Sequence, residues 1–295
     1  MIDDGDSITN LSIVQIIAKY GLLANRGRAK SLGQHFLCDP SLLKKIVAYA
    51  LPIEDDTHIV EIGPGPCGLT REIVNACSDR CYITCIEKDE SLKPIHDELL
   101  ASSAARLRFI YADAMKVRLQ DLEPKQPVTI IANLPYNVGT PLLIGWLKDI
   151  ANIRKMILMF QKEVADRICA TTGTKQYGRL SIISQLTCHA EKMFDISRTA
   201  FYPPPKVEST VVKMIPRDIA KFDLASLDVL TAHCFSNRRK TLRKILKEHY
   251  GVAVSEEILT SCGIDANARP ENVAPRTFLE LSKQLLAYSS THILE

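Results

Sequence analysis

Four apolar runs, each rich in β-branched residues, stop one after another on a glycine or polar signal, and this order constrains the fold more than any other feature. His58-Ile59-Val60-Glu61-Ile62 enters Gly63-Pro64-Gly65-Pro66-Cys67-Gly68. Cys81-Tyr82-Ile83-Thr84-Cys85-Ile86 stops at Glu87. Leu107 to Tyr111 is followed by Asp113, and Val128-Thr129-Ile130-Ile131-Ala132 ends on Asn133-Leu134-Pro135-Tyr136. Short apolar runs bounded by turn signals read as buried strands. Helical spacing follows the glycines at Leu69, Ile73, Val74 and Cys77. Strand and helix patterns alternate from Thr57 to about Ala170, which predicts an α/β fold with a Rossmann-like, doubly wound parallel sheet. Ligands of such sheets bind beyond the carboxyl ends of the strands, where all four signals fall.

The chemistry of those strand ends is specific as a set. Gly63, Gly65 and Gly68 match G-x-G-x-x-G, a spacing that lets backbone approach a ligand and is weak alone. Glu87 suits ribose hydroxyls, and a nicotinamide enzyme would show the same two features. Glu61, two residues before the first glycine, is placed to hold an ammonium group; a capping or salt-bridging carboxylate is its plainer reading. Asp113 can accept from an adenine amino group, against a plainer reading as a turn residue. In series, the four ends tilt the reading toward S-adenosylmethionine. At the fourth, the Asn133 amide oxygen and the Leu134 carbonyl offer acceptors for an exocyclic amine. Pro135 biases Leu134 toward extended backbone, and Tyr136 offers a face for a planar base. No hydride-acceptor site supports a nicotinamide oxidoreductase.

At 295 residues the chain suits one large domain and a small one. Its net charge of +3 leaves no global basic footprint, but Ser236 to Tyr250 holds Arg238, Arg239, Lys240, Arg243, Lys244 and Lys247 against Glu248. With Leu242, Ile245 and Leu246 as an apolar stripe, this stretch reads as one amphipathic helix with its basic side outward. A solvated surface helix is the plainer alternative; Ser236-Asn237-Arg238-Arg239 at its start favours phosphate contact. Nine cysteines show no paired framework, and Cys77, Cys81 and Cys85 lack zinc-ligand spacing, so reduced thiols and no metal are expected. No apolar run approaches a membrane span, and the acidic start Met1 to Asp6 is unlike a targeting signal; a cytoplasmic protein without membrane contact is expected. Leu11 to Leu23 reads as a short amphipathic helix packed on the main domain. Asp39-Pro40 starts a helix, Gly173 to Gly178 reads as a mobile loop, and Glu208 to Ile215 as a late strand. Pro216-Arg217-Asp218 marks a boundary before a short helical region.

The chain resembles the ribosomal RNA adenine N6,N6-dimethyltransferases, the KsgA-type family of small-subunit RNA modifiers. The resemblance rests on Gly33-Gln34-His35-Phe36-Leu37, Glu61-Ile62-Gly63-Pro64-Gly65, Asn133-Leu134-Pro135-Tyr136, Gln161-Lys162-Glu163-Val164, Tyr177-Gly178-Arg179-Leu180-Ser181, Phe201-Tyr202-Pro203-Pro204-Pro205-Lys206-Val207 and Phe235-Ser236-Asn237-Arg238-Arg239-Lys240-Thr241. It spans Ser31 to about Leu286. It implies an S-adenosylmethionine-dependent enzyme, acting as a monomer, that dimethylates two adjacent adenosines in the 3′-terminal hairpin loop of 16S rRNA within the immature small ribosomal subunit. It also implies an N-terminal extension (1–30), a catalytic domain (31–216) and a helical RNA-binding domain (217–295). By the same resemblance His35 and Leu37 contact the cofactor, Gly63 lines its methionine end, Glu87 its ribose and Asp113 its adenine, and Glu61 and Gly65 belong to the same cofactor-binding set. Asn133 bridges cofactor and target, Phe201 sandwiches the base with Tyr136, and Arg238, Arg239, Lys240 and Arg243 contact RNA. A methyltransferase for large-subunit RNA or DNA adenine, and an assembly-checkpoint binding protein, are the rival functions.

Overall fold

The computed structural model describes residues 7–22, 33–103, 106–124, 126–218 and 222–292. Met1 to Asp6, Leu23 at the end of the expected first helix, and Ser31-Leu32 lie outside the described residues. From the N-terminus, α1 (Ile13–Lys19), β1 (Phe36–Leu37) and α2 (Pro40–Ala48) precede the first strand of the main sheet. The α1 helix begins with a capping box in which Ser12 and Gln15 satisfy each other's backbone. Asp39 caps α2 ahead of Pro40, as its sequence predicts.

The alternating region then runs β2 (His58–Ile62), α3 (Gly68–Ala76), β3 (Tyr82–Glu87), α4 (Lys93–Ser102), β4 (Arg106–Tyr111), β5 (Val128–Asn133), α5 (Gly139–Lys148) and β6 (Ile153–Gln161). After α6 (Lys162–Ile168) and α7 (Arg179–Thr187) come β7 (Cys188–Ile196), the short β8 (Phe201–Tyr202) and β9 (Ser209–Pro216). The seven-stranded sheet has the order β4-β3-β2-β5-β6-β9-β7. The first five strands are parallel, but β9 is antiparallel to β6, pairing Gln161 with Ser209 and Met156 with Met214. The sheet is therefore mixed, not parallel throughout. The chain enters β9 at the end where β6 leaves, so the two can only run in opposite directions.

Strand order reverses between β2 and β5, the crevice position where open sheets bind ligands. Both faces of β2 are buried. Ile59, Ile83, Ile131 and Ile157 share a core with Leu43, Ile46 and Ile73 from the helices and with Ile8, Ile13 and Ile16 from the N-terminal segment. Burying each such side chain contributes about 1.5–3 kcal/mol before entropy is counted. Arg71 on α3 donates to the Ile8 and Leu11 carbonyls at 2.5 and 2.8 Å, and Glu98 on α4 accepts from the Ile8 N–H and the Tyr20 hydroxyl. The expected packing of the first helix is thus seen, held by Arg71, by Glu98 and by the 3.7 Å ion pair of Lys19 with Glu98.

The chain divides into two compact units, one within Met1–Ala165 and Glu191–Pro216, the other within Asp166–Ala190 and Arg217–Glu295. The second contains α7, α8 (Leu224–Ser236), α9 (Leu242–Tyr250), α10 (Val252–Ser261) and α11 (Pro275–His292) around Tyr177, Leu230, Ile245 and Phe278. Two expectations are corrected here. Ser236 to Tyr250 is not one helix: α8 ends at Ser236, Asn237 to Lys240 form a turn, and α9 starts at Leu242. Ser, Asn and Thr compete for backbone bonds and favour such ends over helix interiors. The segment Gly173 to Gly178, expected to be mobile, is tied down. The Tyr177 ring is 1% exposed, its hydroxyl donates to the Val273 carbonyl at 2.8 Å, and the Gly173 N–H donates to the Glu271 carbonyl at 2.7 Å.

Candidate active site

An open cleft lies over the strand ends where the order reverses. Glu61, Gly63, Gly65, Glu87, Asp113, Asn133, Leu134 and Tyr136 all line it, as do His35 and Leu37. Sequence-distant signals have converged.

The glycine turn is shaped by positive φ at Gly63 (68°) and Gly65 (55°). A Cβ on Gly65 would sit 3.1 Å from the Phe36 ring, so β1 packs directly against the turn. Gly65→Ala combines that clash with a left-handed backbone, worth about 1–2 kcal/mol. A matching loss of stability is the expected result by thermal melting; no change would mean that Phe36 yields freely.

Glu61 is 1% exposed on β2, and among the described residues it has no ion-pair partner. Burial pushes its pKa up to about 7; the Glu87 charge adds to this, and the Cys85 thiol, which donates to its Oε2 at 3.5 Å, opposes it. Glu87 is also raised by burial, against hydrogen bonds from backbone amides. Its Oε1 accepts from the Asp89 N–H at 2.8 Å and its Oε2 from the Gly65 N–H at 3.2 Å. Asp113 is more exposed. Lys88 at 2.9 Å and the Met115 N–H at 3.0 Å hold its carboxyl below the ordinary range.

At the fourth strand end, Asn133 Nδ2 donates to the His35 carbonyl at 3.4 Å. This directs its Oδ1 to act as an acceptor. The Pro135 carbonyl is not free: the Val138 and Gly139 N–H groups donate to it at 3.1 and 3.0 Å. Tyr136 is fixed by a 2.7 Å bond between its hydroxyl and that of Ser209, which is wholly buried at the start of β9.

The N-terminal motif is brought in by a two-stranded antiparallel ribbon in which β1 and β8 pair Phe36 with Tyr202 and Leu37 with Phe201. Gln34 adds a 2.9 Å bond to Asp89. His35 Nδ1 donates to the Pro203 carbonyl at 2.8 Å, and its ring lies 5.7 Å from that of Tyr136 at 30°. Phe201 is 3% exposed, packs in the core and does not line the cleft. The ring stacked on Tyr136 here is that of His35, while Phe201 stays in the core. Sequence reasoning missed Ser209, Lys88 and the His35–Tyr136 contact, none of which has a local pattern.

Half of the cationic group in the second unit is neutralised from within. Lys240 pairs with Glu248 at 2.8 Å, Arg243 with Glu256 at 3.0 Å and Arg238 with Glu271 at 3.7 Å. Arg239, Lys244 and Lys247 are exposed without ion-pair partners among the described residues. Nor is any group of three His, Cys, Asp or Glu there placed to hold a metal, and no helix is long and apolar enough to cross a membrane.

Comparison with known proteins gives the family. The family model for ribosomal RNA adenine dimethylase matches residues 25–286. Ribosomal RNA small subunit methyltransferase A of Rhodospirillum rubrum is 41% identical over 97% of this chain and 96% of its own length. The protein of the same name from Paramagnetospirillum magneticum is 41% identical over 92% and 93%. Among solved structures, a dimethyladenosine transferase from Plasmodium falciparum has a TM-score of 0.73 at 28% identity, covering 87% of this chain and 98% of that one. The 23S rRNA methyltransferase ErmE, at 24% identity over 85% and 99%, shares the fold with a TM-score of 0.63. The matched span includes the glycine turn, both acidic strand ends and the Asn133 tetrapeptide, and the chain belongs to the ribosomal RNA adenine dimethylase family.

Proposed function

We propose that this chain dimethylates adenine N6 in small-subunit ribosomal RNA, using S-adenosylmethionine, at two adjacent adenosines of the 3′-terminal hairpin loop of 16S rRNA. The observation that carries this reading is the convergence of Glu61, Glu87, Asp113 and Asn133 on one cleft at the reversal of strand order. The donor set fits the methyl donor. A buried carboxylate with no internal cation suits an ammonium, Glu87 keeps lone pairs for hydroxyls, and Asp113 can accept from an amino group. Bound there, S-adenosylmethionine supplies a methyl group already activated on a sulfonium.

The residues of the chain then have to bind and align. The adenine amine is a poor nucleophile because its lone pair is delocalised into the ring. Asn133 Oδ1 and the Leu134 carbonyl accept its two hydrogens and draw the nitrogen toward tetrahedral geometry. Tyr136, fixed by Ser209, carries the flipped base on its face. The base must enter where His35 now meets Tyr136, so His35 moves aside or forms part of the enclosing wall. The proton of the methylated amine leaves after transfer, and a second methylation needs room for the first methyl and one acceptor for the remaining N–H.

The second unit is proposed to bind the RNA backbone, and the enzyme to act as a cytoplasmic monomer on the immature small subunit. The three unpaired cations are expected to dominate backbone binding. Replacing Arg239, Lys244 and Lys247 together by Ala should lower the slope of log affinity against log salt by about 2 for single-stranded RNA. Lys240→Ala, which breaks an internal pair, should change it by less than one. Equal effects in a filter-binding salt series would remove the distinction.

The test of function is transfer of labelled methyl to small subunits lacking the modification, followed by nucleotide mapping. Dimethyladenosine at the two hairpin positions is the expected result. Labelling elsewhere would overturn the substrate, and tight subunit binding without labelling would favour the assembly role.

A further inference from the structure

His96 on α4 is fully buried behind the cleft and takes no part in the chemistry above. Its ring stacks on Phe109 of β4, with centroids 4.2 Å apart at 8°. Its Nε2 lies 2.9 Å from the Gly65 carbonyl and its Nδ1 2.9 Å from the Tyr111 hydroxyl. A carbonyl can only accept, so Nε2 carries the hydrogen and Nδ1 accepts from Tyr111. One neutral imidazole thereby satisfies an acceptor on the glycine turn and a donor on β4 together. No apolar residue of that size can do either. Gly65 is held at its other peptide as well, since its N–H donates to Glu87. Tyr111 stands two residues before Asp113. The imidazole therefore spans the floor of the cleft between the glycine turn and the loop that holds Asp113.

We propose that His96 is a positioning residue that fixes the Gly65 peptide and its spacing from the Asp113 loop, and so sets the affinity of the cleft for S-adenosylmethionine. This rests on the methyl-donor reading of the cleft. Burial keeps the imidazole neutral, with its pKa lowered to about 4, so the single-donor form persists at neutral pH.

The test compares His96→Phe, His96→Gln and Tyr111→Phe by calorimetric titration with S-adenosylmethionine and by hydrogen exchange at the Gly65 amide in ligand-free protein. His96→Phe keeps a flat ring for the stack, somewhat larger than imidazole, but neither hydrogen bond. It is expected to bind the donor about tenfold more weakly, to exchange faster at Gly65, and to keep its turnover at saturating donor within about twofold. His96→Gln, which retains an N–H for the Gly65 carbonyl, should recover most of the affinity. Wild-type affinity and Gly65 protection in His96→Phe would overturn the proposal, as would His96→Gln binding as weakly as His96→Phe. Should His96→Phe fail to fold, Tyr111→Phe decides, because it removes one hydroxyl with the packing intact; faster Gly65 exchange supports the proposal and unchanged exchange overturns it. Failure of the wild-type chain to bind the donor would defeat the methyl-donor reading, while Gly65 exchange in ligand-free protein would still decide the role of His96.

Discussion

Asn133→Ala is expected to lower methyl transfer by about a hundredfold or more, the scale seen when one preorganised polar contact to the reacting group is lost. The affinity for S-adenosylmethionine should stay within a few fold of wild type. The reason is geometric. Asn133 closes β5, with its amide nitrogen turned to the His35 carbonyl and its oxygen left to accept. Alanine leaves the strand and the Leu134 carbonyl in place, so the base can still stack on Tyr136 but holds only one of its amine hydrogens. Asn133→Asp restores an acceptor and loses the donor to His35, and should fall between the two. Single-turnover transfer to unmodified small subunits, paired with donor titration, separates the effects. Near-normal turnover in Asn133→Ala with unchanged donor binding would remove amine polarisation from the mechanism.

Much of this site is legible in the sequence, because strands announce themselves as short apolar runs and their polar stops fall at one edge of the sheet. Glu61, Glu87, Asp113 and Asn133 need only that local rule to be placed. The rule fails where position depends on pairing across the chain. Nothing local in Phe36-Leu37 says that it pairs with Phe201-Tyr202, and it is this ribbon that carries His35 to the side of Tyr136 while Phe201 stays in the core. A phenylalanine before prolines reads the same in either orientation. Charge runs fail for a related reason: Glu248, Glu256 and Glu271 neutralise Lys240, Arg243 and Arg238 from outside the run or from its far end. His96 did leave a signal. It shares the apolar stripe of Leu92, Ile95 and Leu99, and a histidine on such a stripe needs two buried partners.

The affinity for S-adenosylmethionine is expected to fall as pH drops below about 7, approaching tenfold per pH unit where one proton must leave on binding. Glu61 is the cause. Burial raises its pKa from an ordinary 4.5 to about 7, the Glu87 charge adds to the rise, and the thiol of Cys85, 3.5 Å away, works against it. An ammonium ligand needs the ionised carboxylate and keeps its own charge throughout this range. Between pH 5 and 7 binding must therefore expel a proton, whereas above that window the profile should flatten. Glu61→Gln should bind more weakly at neutral pH and show a shallower profile; the part that persists belongs to Glu87, which burial raises in the same direction. Stability carries the opposite sign. With its folded pKa above the unfolded one, this carboxyl favours the native state below about 4.5, and that contribution is lost as pH rises through about 7. Ligand-free Glu61→Gln should therefore melt above wild type at pH 8, with the gap closing toward pH 5. Superimposable binding and melting profiles for the two proteins would place the ammonium away from Glu61. A binding profile that flattens without any change in melting would mean that water reaches the carboxylate, and that its charge is already solvated in the open cleft.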